Sequence, residues 1–125
     1  MLRNQGATAT VAVKDMEAAK KFYEGSLGLK PVDSEGPEVL LYKTGKTKLL
    51  VYKSQFAGTN QATGVTWTVG DDVDDLVKSL KAKGVAFEHY DFPDTRLEGD
   101  VHVMGDLRAA WFKDPDGNIH SLVNG

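Results

Sequence analysis

The first half of the chain alternates apolar and polar positions in a way that predicts a strand, a helix and further strands. Residues Ala7–Val13 place apolar side chains at every second position, as in a half-buried strand. Asp15 then suits the N-cap of a helix whose apolar positions recur at helical spacing as far as Leu27. Three extended segments follow, at Leu29–Asp33, Val39–Lys43 and Leu49–Lys53.

The second half repeats this order. A strand at Val65–Val69 precedes a helix with one apolar stripe, and Gly84 ends that helix as Gly28 ends the first. Val69 and Gly84 each lie 56 positions after their counterparts (69 − 13 and 84 − 28), which indicates an internal duplication. Extended segments follow at Val85–His89, Leu107–Lys113 and Ile119–Val123, the last two joined by the turn Asp114–Asn118. We predict two modules, residues 1–54 and 65–125, joined by a polar linker, residues 55–64.

One segment breaks the repeat. Residues Phe92–Asp106 contain Pro93, two glycines and no clear periodicity. A loop of this length is uncommon in so small a domain and is typical of a lid or a binding segment. We therefore expect a loop that covers a binding site in the second module.

Composition narrows the possible chemistry. The 125 residues include no cysteine, which excludes disulfides, thiolate nucleophiles and cysteine-ligated zinc or iron–sulfur sites. The net charge of −3 argues against a nucleic-acid partner, which would need a basic surface. No apolar run approaches the roughly 18 residues of a membrane span, and the first residues lack the apolar core of a signal peptide. We expect a cytoplasmic protein with no membrane partner.

Three segments resemble a known family. They are Val11–Lys30 with its Phe-Tyr and Leu-Gly-Leu pairs, the helix at Val73–Val85, and Trp111–Leu122 with its Asp-Pro-Asp-Gly-Asn turn. This combination is similar to the vicinal oxygen chelate superfamily, which includes glyoxalase I, bleomycin-resistance proteins and extradiol dioxygenases. The resemblance implies an α+β fold in which two βαβββ modules form a cupped, mainly antiparallel eight-stranded sheet. It also implies a homodimer, as in many relatives.

The resemblance further implies where a metal ion would be bound. Metal-dependent members use about four ligands, mostly His and Glu, from the first and last strands of each module. The matching positions here are Thr8, Leu49, Gly64 or Val65, and Ser121. Because none of these side chains is a good ligand for a divalent ion, we expect no metal and no other cofactor. A divalent metal held by other residues is the alternative.

The three histidines are the candidates for that alternative. His120 occupies a core-facing position and is expected to be a hydrogen-bonded structural residue, although a bulge would turn it into the cavity. His102 lies in the long loop near Met104 and Arg108, where it is either solvated or functional. His89 is expected at the surface.

Aromatic and hydroxyl side chains make up the rest of the expected cavity. Strand parity places Trp67 beneath a helix and sends Trp111 and Phe112 to opposite faces, without deciding which of the two lines the cavity. Such an uncharged, partly aromatic cavity suits a planar organic ligand. The predicted ligand-binding residues are Thr8, Thr10, Tyr42, Tyr52, Thr66, Thr68, His102, Met104, Arg108, Trp111 and Ser121.

Three functional hypotheses remain open at this point. The first is a metal-free protein of the bleomycin-resistance type that sequesters a small, aromatic organic molecule. The second is a lyase, isomerase or dioxygenase of the same superfamily. It would use non-standard metal ligands such as His102 and His120, or Arg108 or His102 as electrophile or base without metal. The third is a non-catalytic partner module, which would have an exposed apolar patch and no cavity.

Overall fold

The elements follow the predicted order, and the α+β class is confirmed. A computed structural model describes residues 1–32 and 36–125 of the chain. The described residues form strands β1 (Ala9–Val13), β2 (Val39–Thr44), β3 (Thr47–Lys53), β4 (Thr63–Thr68), β5 (Phe87–Glu88), β6 (Arg96–Glu98), β7 (Val101–Met104), β8 (Leu107–Lys113) and β9 (Ile119–Val123). The helices are α1 (Met16–Lys20), which continues as a π-helical turn (Lys21–Ser26), and α2 (Val73–Ala82), preceded by a 3-10 turn (Gly70–Asp72).

The strand pairing repeats between the two halves. In the first sheet β1 is parallel to β3, and β3 is antiparallel to β2; in the second sheet β4 is parallel to β9, and β9 is antiparallel to β8. Gly28 and Gly84 both have positive φ, 73° and 89°, which lets the chain leave each helix and return to its sheet. The topology therefore shows the duplication that the spacing predicted.

The predicted strand at Leu29–Asp33 is reduced to a single bridge between Pro31 and Tyr42. Proline has no N–H to continue a ladder, which limits the pairing at this edge. Asp33 lies outside the described residues. The matching segment of the second half, predicted at Val85–His89, forms only the short β5.

The expectation of a long loop at Phe92–Asp106 is wrong. This segment contains the hairpin β6–β7, which turns at Gly99 and adds two strands beside β8. β7 is buried on both faces and β6 is exposed throughout, so neither strand has the period-two contrast that reveals a half-buried strand. His102 consequently lies in an internal strand of the sheet and not in a solvated loop.

The core consists of two apolar clusters, one beneath each helix. Phe22, Leu27 and Trp67 pack against both clusters and join them. The wider π-helical turn places Phe22 and its neighbour Tyr23 in the interior together, with ring centroids 5.2 Å apart. Trp67 thus lies on the helix side of its sheet, as predicted.

The turn Asp114–Asn118 connects the second module to the first, and we call it the clamp turn. Asp116 Oδ1 accepts a hydrogen bond from the Lys14 amide (3.1 Å), and Asn118 Nδ2 donates to the Ala12 carbonyl (2.7 Å). Asp114 Oδ2 accepts from the Tyr23 hydroxyl at 2.6 Å. β4 begins at Thr63, inside the predicted linker, so the connection between the sheets is shorter than expected.

Candidate functional site

Strand register separates a helix-packed face from a face that carries no helix. The residues of the second face, here called the helix-free face, alternate with core residues such as Val51, Phe112 and Leu122. They are Thr10 and Ala12 on β1, Leu50 and Tyr52 on β3, Gly64, Thr66 and Thr68 on β4, His102 and Met104 on β7, Ala109 and Trp111 on β8, and Ile119 and Ser121 on β9.

The clefts in the described part of the helix-free face include one beside Trp111 and one beside Tyr52. The Trp111 cleft, about 240 Å³, lies over the second sheet and is lined by Trp111, Tyr90, Phe92, Gln61, Ala62, Thr63 and Ile119. The Tyr52 cleft, about 290 Å³, lies near the junction of the sheets and includes Thr10, Ala12, Tyr52, Phe56 and Gly64. Each cleft contains both aromatic and polar groups, which suits a small organic molecule.

Two hydroxyl groups on the helix-free face form a hydrogen bond between the neighbouring strands β4 and β9. Ser121 Oγ donates to Thr66 Oγ1 at 2.9 Å across the β4–β9 pair. Trp111 Nε1 donates to Thr63 Oγ1 at 3.2 Å at the rim of the Trp111 cleft. Of the two aromatic residues that the sequence left undecided, Trp111 is therefore on the helix-free face, whereas Phe112 is in the core.

Two predicted ligand-binding residues lie elsewhere. Tyr42 pairs with Leu49 on the helix-packed face and is fully buried, and its hydroxyl donates to Glu24 Oε2 at 2.9 Å. Burial and the adjacent Glu24 carboxylate raise the Tyr42 pKa. Arg108 also projects to the helix side, where it pairs with Asp74 of α2 (2.8 Å) and Glu98 (3.2 Å).

Three other predicted residues lie at the margin of the face. Thr8 precedes β1 and is exposed, and its carbonyl accepts from the Thr10 hydroxyl. Thr68 is exposed at the end of β4. Met104 is half-buried at the end of β7, opposite Leu107. None of the three lines either cleft.

His102 is buried on the helix-free face among aromatic rings. Its side chain has no exposed surface, and its Nε2 accepts a hydrogen bond from the Tyr90 amide at 2.9 Å. The Trp111 ring stands perpendicular to the imidazole at a centroid distance of 4.9 Å, and Phe92 and Tyr90 are 6.0 and 6.2 Å away. Nδ1 has no hydrogen-bond partner among the described residues.

His120 is held in the core by a chain of hydrogen bonds. Trp67 Nε1 donates to His120 Nδ1 at 3.0 Å, so the ring proton of the neutral imidazole is on Nε2. Nε2 lies 3.0 Å from the Tyr23 hydroxyl, which itself donates to Asp114 Oδ2. Burial lowers the His120 pKa to about 4, while the Asp114 charge opposes that shift. Burial and Asp114 also raise the Tyr23 pKa. His120 is therefore the hydrogen-bonded structural residue that its position predicted.

Comparison with known proteins now decides the family. Residues 7–121 match the model of the Glyoxalase/Bleomycin resistance protein/Dioxygenase superfamily. The chain belongs to this superfamily. No curated protein sequence gives a significant match. No helix in the described part of this superfamily member has the length and apolar content needed to cross a membrane.

Solved structures support the same fold. Lactoylglutathione lyase from Agrobacterium tumefaciens is 20% identical with a TM-score of 0.72, covering 98% of this chain and 95% of its own. The fosfomycin resistance protein FosX from Mesorhizobium loti is 16% identical with a TM-score of 0.70, covering 100% and 94%. A FosX variant from Listeria monocytogenes, in complex with Mn(II) and a dihydroxypropylphosphonic acid, is 19% identical with a TM-score of 0.71, covering 100% and 92%.

The side chains of this superfamily member do not form a site for a divalent metal ion such as the Mn(II) bound in the Listeria monocytogenes FosX variant. At the positions expected for metal ligands, Thr8 and Ser121 carry hydroxyl groups and Gly64 has no side chain. Val65 and Leu49 are buried in the core. Leu49 therefore lies on the helix-packed face and not in the cavity. Leu50 and Tyr52 occupy the corresponding strand on the helix-free face. Both ring nitrogens of His120 already have protein partners. No group of three or more His, Asp or Glu side chains in residues 1–32 and 36–125 is placed to hold a metal.

Of the seven residues that line the Trp111 cleft, the sequence prediction included one, Trp111. Tyr90 and Phe92 follow β5 in a turn-rich segment, where no periodicity assigns them to a face. Gln61 and Thr63 lie in the segment predicted as a linker. The density of aromatic residues around Tyr90 was the one available signal.

Proposed function

We propose that this superfamily member binds a small aromatic molecule on its helix-free face without a divalent metal. The observation that carries the proposal is the side-chain chemistry of that face. Where a metal site would need imidazoles and carboxylates, the central strands present Thr10, Tyr52, Thr66 and Ser121. Hydroxyls donate and accept hydrogen bonds with an uncharged ligand, and Thr63 places one at the rim of the Trp111 cleft.

The Trp111 cleft supplies the apolar part of the proposed site. Trp111, Tyr90 and Phe92 form three aromatic walls, with Trp111 5.4 Å from Tyr90 and 5.5 Å from Phe92 between ring centroids. Aromatic rings favour a planar ligand through offset or edge-to-face contacts. Gln61 and Thr63 at the rim offer hydrogen bonds that would orient it.

The proposal is tested by comparing the ligand binding of the wild-type protein with that of the variant Trp111→Ala. We expect quinoline or another planar compound of an aromatic panel to raise the melting temperature of EDTA-dialysed protein, with no further rise on adding Mn(II). Trp111→Ala should weaken binding at least tenfold, because it removes the largest wall of the cleft. Titration calorimetry of both proteins is the measurement.

Phe56→Ala is the matched control, since Phe56 is an exposed aromatic residue of the Tyr52 cleft. It should leave the affinity within about twofold, because surface aromatics outside the binding cleft contribute little. A loss in Phe56→Ala with unchanged affinity in Trp111→Ala would place the ligand in the Tyr52 cleft and contradict the proposed site. A panel without any binder, or binding that requires Mn(II), would contradict the proposal.

The alternative function is a lyase, isomerase or dioxygenase of the same superfamily. The observation that favours it is the likeness to a lactoylglutathione lyase and to a Mn(II)-bound FosX. Turnover of a compound that binds the Trp111 cleft, with or without metal, would support this alternative over sequestration. The homodimer and the cytoplasmic location stay predictions, and light scattering of the purified protein tests the first of them.

A further inference from the structure

The two ring nitrogens of His102 differ in their hydrogen bonding. Because Nε2 accepts from the Tyr90 amide, the neutral ring carries its proton on Nδ1. That donor is buried without a hydrogen-bond partner among the described residues. Buried donors are nearly always satisfied in folded proteins, so one that lies beside a ligand-sized cleft calls for an explanation.

Three rings separate His102 from the Trp111 cleft. Trp111, Phe92 and Tyr90 each contact the imidazole, and each also lines the cleft, whereas His102 itself does not reach the cleft surface. Displacing one of these rings would let a molecule in the cleft reach the His102 imidazole.

Of these three rings, Phe92 is the most exposed to solvent. It lies between β5 and β6 in a segment without regular structure, and 37% of its surface is exposed. The Phe92 ring can move without breaking any strand pairing, because no sheet hydrogen bond involves this segment.

We propose that Phe92 is a displaceable cover and that His102 Nδ1–H is the hydrogen-bond donor to the bound ligand. The inference rests on the proposed function and specifies its ligand: a planar aromatic compound with an acceptor on its edge, such as a ring nitrogen or a carbonyl. The ligand ring takes the place of the Phe92 ring against Trp111 and Tyr90. Its acceptor atom then satisfies the Nδ1 proton.

Quinoline and naphthalene form a matched pair of probes, since they have the same shape and only quinoline has an acceptor nitrogen. His102→Phe keeps a ring of similar size and removes the donor. We expect this variant to lower the ratio of quinoline affinity to naphthalene affinity about tenfold, while naphthalene binding changes by less than about twofold. Phe56→Ala, which changes an exposed aromatic residue of the Tyr52 cleft, should leave the ratio unchanged.

Phe92→Ala gives an independent test of the cover. Without the competing ring, both probes should bind more tightly, because the protein no longer has to displace its own side chain. Weaker or unchanged binding of both probes in Phe92→Ala would contradict a displaceable cover.

The wild-type protein provides a test that does not depend on the folding of His102→Phe. In protein labelled with ¹⁵N-histidine, the proton resonance of the His102 Nδ1–H group should move further downfield with quinoline than with naphthalene, because only quinoline accepts a hydrogen bond from it. The same shift with both probes, or an affinity ratio that is the same in His102→Phe, would show that Nδ1–H makes no hydrogen bond to the ligand. The proposed function would stand in that case. Failure of the wild-type protein to bind either probe, or any other aromatic compound, would overturn both.

Discussion

Asp114→Ala is expected to lower the free energy of unfolding by about 4 kcal/mol, which is most of the stability of many small domains. The Asp114 carboxylate is almost fully buried and accepts hydrogen bonds from the Tyr23 hydroxyl, the Asp116 and Asn118 amides and the Asn118 side chain. Alanine leaves these donors without a partner, and each unsatisfied buried donor costs about 1–3 kcal/mol, although the costs do not add fully. Urea denaturation followed by circular dichroism measures the loss.

Asp116→Ala is the matched control within the clamp turn. Its side chain accepts one exposed hydrogen bond, from the Lys14 amide, so its removal should cost about 1 kcal/mol or less. Equal losses in the two variants would mean that the clamp turn contributes through its backbone conformation and not through the buried carboxylate. The comparison also tests whether the Asp114–Tyr23 bond couples the modules, since only Asp114→Ala breaks it.

Stability is also expected to fall by about 2 kcal/mol between pH 7.5 and pH 5, because folding keeps His120 neutral. The His120 pKa is about 4 in the folded protein, against 6.5 in the unfolded chain. Below pH 6.5 the unfolded chain therefore binds a proton that the folded chain excludes, and the loss grows until the pH reaches about 4. Protonation of Nδ1 would also remove the acceptor for the Trp67 indole. Urea unfolding across this pH range measures the slope.

His120→Gln should be less stable at pH 7.5 and should lose most of this pH dependence. His89→Gln is the control, since His89 is exposed and pairs only with Asp100 among the described ion pairs, and it should keep the slope. Glu98 and Asp100 have lowered pKa values because of hydrogen bonds from Arg96 and Lys81 respectively. The stability that these two carboxylates contribute is lost only as the pH falls through their ordinary pKa values, 4.5 and 3.8, towards the lowered ones. They therefore do not produce the change between pH 7.5 and pH 5. An unchanged slope in His120→Gln would contradict this account.

Period-two alternation and the 56-residue offset predicted the repeated order of strands and helices and the side on which several residues lie, whereas the two-module fold was predicted from the resemblance to the superfamily. Strand parity placed Trp67 and His120 on the core side, and the structure agrees. Parity is a reliable guide here because a shift of one residue in register would move both side chains to the opposite face. Strand parity also assigns Tyr42 to the core side, because Tyr42 pairs with the core residue Leu49 beneath α1. The expectation that Tyr42 lines the cavity failed because tyrosine is amphipathic and its hydroxyl found a partner, Glu24, on the helix.

The candidate site was less predictable because its walls come from segments without periodicity. Tyr90 and Phe92 reach the helix-free face from the connection between β5 and β6, and their position depends on the β6–β7 hairpin that the sequence pattern concealed. Arg108 follows strand parity to the helix side, where Asp74 pairs with it. These contacts join residues far apart in the chain, which local spacing does not encode.

Elemental analysis of the purified protein tests the central claim most directly. The protein should be prepared without a chelator or a histidine tag, dialysed against Mn(II), Fe(II), Ni(II) or Zn(II), and then passed through a desalting column. The hydroxyl and apolar side chains at the strand positions predict far less than one retained ion per chain for every metal. One tightly held ion per chain would contradict the metal-free site and would favour the alternative of a metal-dependent enzyme.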